Sequence, residues 1–95
     1  MTVEELRIEL GKTIAGLIAT GLDNIDSVMM EKIKTLSDAA GQLGMNEGKR
    51  LIENLSSTIN SIKEGKSKIE SGEIRLTALE FYLNNLSGSE NIEEL

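Results

Sequence analysis

Apolar residues recur at spacings of three and four along successive stretches of this chain, and no proline interrupts them. A helix turns by about 100° per residue, so such spacing collects the apolar side chains on one face. Val3, Leu6, Leu10, Ile14 and Leu17 form the first such face. Ahead of it, Thr2-Val3-Glu4-Glu5 has the form of a capping box, in which a hydroxyl and a carboxylate three residues apart satisfy backbone donors reciprocally. The spacing predicts a helix from Val3 to about Thr20, stopped at Gly21 by the ease with which glycine turns left-handed. Strand alternation accounts for Leu6, Ile8 and Leu10 and then fails.

Glycine, asparagine, aspartate and serine mark the remaining element ends. Leu22-Asp23-Asn24-Ile25-Asp26 reads as a turn, with Asp26 or Ser27 as the cap of a second helix whose face is Met29, Ile33, Leu36, Ala40 and Leu43. Gly44 ends that helix. Asn46 is the expected cap of a third, with Leu51 or Ile52, then Leu55, Ile59 and Ile62, which breaks at Gly65 or continues through it. Ser67-Lys68-Ile69-Glu70 is a second capping-box pattern and Ser71-Gly72 a later start for a fourth helix, whose dense apolar pattern covers Ile74 to Leu86. The expectation is an all-α chain: a small antiparallel bundle of about four helices over residues 1–86, joined by short connections, and an acidic flexible tail over 87–95.

A chain of 95 residues forms one domain with a thin stability margin, which self-association would widen. With one Phe, one Tyr and no Trp, its core is aliphatic. The absence of cysteine and histidine removes disulfides, the usual zinc and haem ligands, and Ser-His or Cys-His catalysis. A net charge of −6, half of it from Glu90, Glu93 and Glu94, opposes nucleic-acid binding. The apolar run Thr13 to Leu22 is too short for a membrane span and the charged start is unlike a signal peptide, so the chain is expected to be cytoplasmic and not to bind membranes.

Leu10-Gly11-Lys12-Thr13 imitates the end of a phosphate-binding loop. That loop needs a glycine five residues before the second one, so that successive amides curl round a phosphate. The position holds Leu6. Gly44-Met45-Asn46-Glu47-Gly48-Lys49-Arg50 is one residue short and places Arg50 where a hydroxyl belongs. Nucleotide binding through these segments is the disfavoured reading. Glu4, Glu5 and Glu9 lie at a helix start where the macrodipole favours negative charge, and no Glu-x-x-His accompanies them. Asp23 to Ser27 lacks the ligand ladder of a calcium loop. Lys63, Lys66 and Lys68 lack interleaved aromatics for base stacking and read as a solvated face. Neither catalytic residues, nor a metal set, nor a cofactor site is expected.

Two features point instead to contact with protein. Gly11 and Ala15, with Ala19, lie four apart and leave a strip of the first helix nearly bare, where another helix can approach. On the fourth helix, Ile74, Leu76, Ala78, Leu79, Phe81, Tyr82, Leu83 and Leu86 cover roughly 200° of the circumference, about twice what burial on one side requires. Either this helix is central in its bundle or part of it, with Phe81 at the margin, meets another chain. Ile74, Phe81, Tyr82, Gly11 and Ala15 are therefore the candidate interaction residues.

The order Leu6, Leu10, Gly21-Leu22, then Met30, Ile33, Leu36, Ala39-Ala40, Leu43-Gly44-Met45, then Leu51, Leu55, Ala78-Leu79 and Tyr82-Leu83 resembles a helical segment of bacterial proteins associated with SWIM-type zinc fingers. The Cys and His ligands of the finger itself are absent. The resemblance implies an accessory helical module. The functional expectation is a non-catalytic interaction or assembly module that pairs with itself as a homodimer. The alternative is an acidic regulator, antitoxin-like or anti-factor, that neutralises a basic partner.

Overall fold

In a computed structural model, the chain folds into four helices: α1 (Val3–Thr20), α2 (Ser27–Gln42), α3 (Asn46–Lys63) and α4 (Ile69–Glu94). The backbone of residues 1–94 and the side chains of residues 1–86 are described; the expected acidic tail over 87–95 lies outside the fully described residues. No strand occurs among the described residues, and the bundle is all-α as the periodicity predicts.

Each helix begins or ends for a local reason. The Thr2 hydroxyl accepts from the Glu5 amide at 3.1 Å while the Glu5 carboxylate accepts from the Thr2 amide at 3.0 Å, completing the capping box. Asp26 caps α2 by accepting from the Met29 amide at 2.9 Å. α2 and α3 both end in the same backbone motif. Gly44 and Gly65 adopt φ of 75° and 76°. The amides that follow reach back to orphan carbonyls, Met45 to Ala40 at 2.9 Å and Lys66 to Ser61 at 2.8 Å. Gly65 thus separates α3 from α4.

Two expected caps are not used. α3 starts one residue early, with Met45 in the cap position and no side-chain hydrogen bond there, so Asn46 lies inside the first turn. α4 starts at Ile69, between the two predicted starts. The Ser67 amide donates to the Ser61 carbonyl at 3.2 Å, drawing that residue into the end of α3 rather than into a capping box with Glu70.

The helices form a closed ring in which α3 packs on α2 and α4, and α1 completes the circuit against the same two. Facing residues give the direction of the chain. Gly48 faces Tyr82 and Gly72 faces Ile62, so α3 and α4 are antiparallel; Glu9 reaches Lys32 while Gly16 meets Met29, and so are α1 and α2. The core takes Leu6, Leu10, Ile14 and Leu17 from α1, Ile33, Leu36 and Ala40 from α2, Ile52, Leu55 and Ile59 from α3, and Leu76, Leu79 and Leu83 from α4. At the α3 ambiguity Ile52 is buried, and Leu51 is only half-buried at its edge. Leu22 and Ile25, in what reads as a polar turn, are also buried and close one end of the bundle. The buried Thr13 hydroxyl donates to the Glu9 carbonyl at 2.8 Å, which removes the cost of placing a polar group there.

Candidate interaction site

Among the described residues α4 packs against two neighbours in the ring, α1 and α3. Its core edge is Leu76, Leu79 and Leu83, and the opposite edge is left largely uncovered by the described residues. Ile74 and Phe81 stand there 68% and 67% exposed, seven residues and two turns apart. With Ala78 between them, they line a shallow groove of about 660 Å³ that Leu51, Glu47 and Arg50 of α3 complete, with Tyr82, Thr77 and Asn85 of α4. The central burial considered for α4 therefore holds for one edge of its apolar arc and not for the other.

Close packing brings α3 to this groove. A Cβ on Gly48 would lie 3.0 Å from the Tyr82 phenolic oxygen and 3.1 Å from Cε2 of its ring, so the ring rests directly on the backbone of the first turn of α3. Burial raises the Tyr82 phenol above its ordinary value; hydrogen bonding with the Gly48 backbone opposes this, and the nearby Glu47 carboxylate adds to it. Across the rim, Arg50 Nε donates to Glu47 at 3.1 Å and a second bond joins Arg50 Nη2 to the same carboxylate. That pairing holds the Glu47 carboxyl below the usual carboxylate range and leaves the rim nearly neutral.

Three of the five candidate residues, Ile74, Phe81 and Tyr82, thus come together. Gly11 and Ala15 do not join them. Both are exposed on the outward side of α1, and a methyl group added at Gly11 would meet nothing within 4 Å. Among the described residues no helix packs on Gly11; the close approaches at helical glycines are Gly16 against Met29, Gly41 against Lys49, Gly48 against Tyr82 and Gly72 against Leu22 and Ile62. The sequence reading missed Glu47, Arg50 and the outward role of Leu51. The adjacent pair Leu51-Ile52 was the available signal, since neighbours in a helix point about 100° apart and only one of two large side chains can sit at the centre of the buried face. It also missed Ile8 and Ile18, which are exposed on α1.

The first imitation phosphate loop is helix throughout. Gly11, Lys12 and Thr13 lie in the middle of α1, where backbone amides donate along the helix and cannot converge on a phosphate. Among the described residues no acidic set gathers closely enough to hold a metal, and no helix is long and apolar enough to cross a membrane. Compared with known protein families, curated proteins and solved structures, the chain matches none of them.

Proposed function

We propose that this chain is a non-catalytic helical interaction module that pairs with a second copy of itself through the α3–α4 groove. The observation that carries the reading is the exposure of Ile74 and Phe81 on one edge of α4, beside the half-buried Tyr82 and Leu51. Isolated exposed apolar residues are ordinary, whereas an aromatic and an aliphatic side chain lining one groove form a contiguous patch of the kind that marks contact sites. Aromatic side chains also concentrate binding energy at interfaces. The small Ala78 and Thr77 between two large side chains give the edge an order, large-small-small-large, that can pair with itself about a twofold axis. Resemblance to the SWIM-finger-associated segment, an accessory module, agrees with this reading.

The test is solution mass over a concentration series for the wild type and Phe81→Asp, by sedimentation. The expected result is a concentration-dependent dimer in the wild type and a folded monomer in the variant. Because Phe81 is exposed, the substitution leaves the monomer's stability within about 0.5 kcal/mol. A wild type that stays monomeric at every concentration would overturn the proposal.

A further inference from the structure

On the other flank of α4, facing α1, lies a second groove of about 340 Å³. Its apolar lining is Leu17, Ile18, Leu22, Ile69 and Leu76. Ile18 stands 60% exposed as one wall, while Leu17, Leu22 and Leu76 are buried and make the floor. The charge along it is of one sign. Glu73 and Glu80 line the α4 side, and among the described residues neither is ion-paired and no lysine or arginine lines the groove. Other grooves on the molecule are mixed: Lys34 and Lys63 accompany Glu31, Asp38 and Glu53 between α2 and α3, and Arg50 accompanies Glu47 between α3 and α4.

The spacing of the two carboxylates restricts what can complement them. Seven residues of helix place Glu73 and Glu80 about 10.5 Å apart along α4. A partner helix lying alongside presents cations at that separation when they are also seven residues apart, with an apolar side chain three or four residues on, between them and on the same face. An extended segment covers about 10 Å in three residues, which turns its two cations to opposite faces. We propose that this groove docks a cationic amphipathic helix of another protein, with lysine or arginine two turns apart against Glu73 and Glu80 and an aliphatic side chain between them on Ile18 and Leu76. This is the helix-in-groove mode of recognition, with apolar burial supplying affinity and the acidic edge supplying orientation and choice of partner.

The probe is an end-capped 18-residue helical peptide of lysine, leucine and alanine with lysines at heptad spacing beside a leucine stripe, titrated into the isotopically labelled full chain. The expected result is saturable binding with amide shifts concentrated at Ile18 and at 73–80. Glu73→Lys with Glu80→Lys weakens it at least about tenfold, which is 1.4 kcal/mol. Glu31→Lys with Glu53→Lys makes the same change in net charge on another face and weakens it less than about threefold, because exposed charges that far away are screened. Ile18→Ser, which leaves the charge unchanged, also weakens it about tenfold. All five positions are exposed, and circular dichroism checks that each variant is folded. Equal weakening by the two double variants would mean that only net charge is read. That result, or full affinity in Ile18→Ser, or shifts confined to other faces, would overturn the proposal. Phe81→Asp leaves this binding within about twofold because it lies in the other groove, so self-pairing and peptide docking fail separately.

Discussion

At the scale of single residues, three glycines show how one substitution takes different signs. Gly11 is helical and faces open space, so Gly11→Ala gains helix propensity, about 1 kcal/mol. Gly44 also faces open space, but its φ of 75° lies in the left-handed region, and Gly44→Ala costs about 1 to 2 kcal/mol through the backbone alone. At Gly72 the backbone is helical and the space is filled: a Cβ would fall 2.6 Å from Leu22 Cδ1 and 2.9 Å from Ile62 Cδ1. Overpacking of about 1 to 3 kcal/mol outweighs the gain in propensity there. Urea midpoints should place Gly11→Ala above the wild type and both other variants below it. A Gly72→Ala chain as stable as Gly11→Ala would contradict the close packing at the start of α4. In the sequence, Gly11 lies inside a helical pattern and Ser71-Gly72 reads as a helix start, and neither reading shows which of the two glycines is closely packed. The wider spacing of Gly11 from Ala15 and Ala19 pointed to close approach at the wrong one, because spacing shows which residues share a helix face without showing which way that face turns.

At the scale of elements, α4 separates what a helix contributes to its own bundle from what it leaves over. Leu79 is 1% exposed and Phe81, two residues on, points the other way. Leu79→Ala should destabilise the chain by about 2 to 5 kcal/mol, the cost of an aliphatic cavity. Phe81→Ala should change the stability of the monomer by less than about 0.5 kcal/mol. Denaturation at a concentration low enough to keep the chain monomeric checks both, and similar losses would mean that Phe81 belongs to the core. The breadth of the apolar arc on α4 was readable from residue types alone. Its division into a core edge of Leu76, Leu79 and Leu83 and an outward edge of Ile74 and Phe81 was not. A helix with two neighbours buries one side, and the number of neighbours is a property of the ring. The ends of α1 and α2 were legible because Thr2, Glu5 and Asp26 act within one turn of themselves. The start of α3 was not, since the half-buried Met45 packs against the core and occupies the position a capping side chain would take.

At the scale of the whole molecule, the chain's single tyrosine reports on the groove that the proposed dimer would cover. Burial raises the Tyr82 phenol in the folded chain above its ordinary value near 10. The neutral phenol is therefore the form the fold favours. The stability it contributes is complete below the unfolded value and is lost as pH rises through the higher native one. Absorbance titration of the native chain should give a midpoint above that of the same chain in denaturant. If copies pair over the α3–α4 groove, the ring loses more water, and the native midpoint should climb further as protein concentration rises. A midpoint above the denatured value but independent of concentration would leave Tyr82 buried by α3 alone and count against pairing at this face. The two grooves flanking α4 would then have separate uses, one nearly neutral at its rim and one bordered by carboxylates.

The sequence by itself determined the helices: their apolar period, the capping box at Thr2, a cap at Asp26 or Ser27 and the glycine stops at Gly21 and Gly44 all act over four or five residues, within reach of local reading, and the structure chose Asp26 and a break at Gly65. Only the tertiary structure decided which apolar side chains the bundle encloses. It placed Ile52 inside and Leu51 at the edge, drew Leu22 and Ile25 into the core from a polar turn, turned Gly11 and Ala15 outward, and left Ile18, Ile74 and Phe81 exposed. The physical reason is that periodicity gives each side chain a direction relative to its own helix axis. Burial depends on what lies in that direction, and in a ring of four short helices each one has neighbours on two sides and water on the rest.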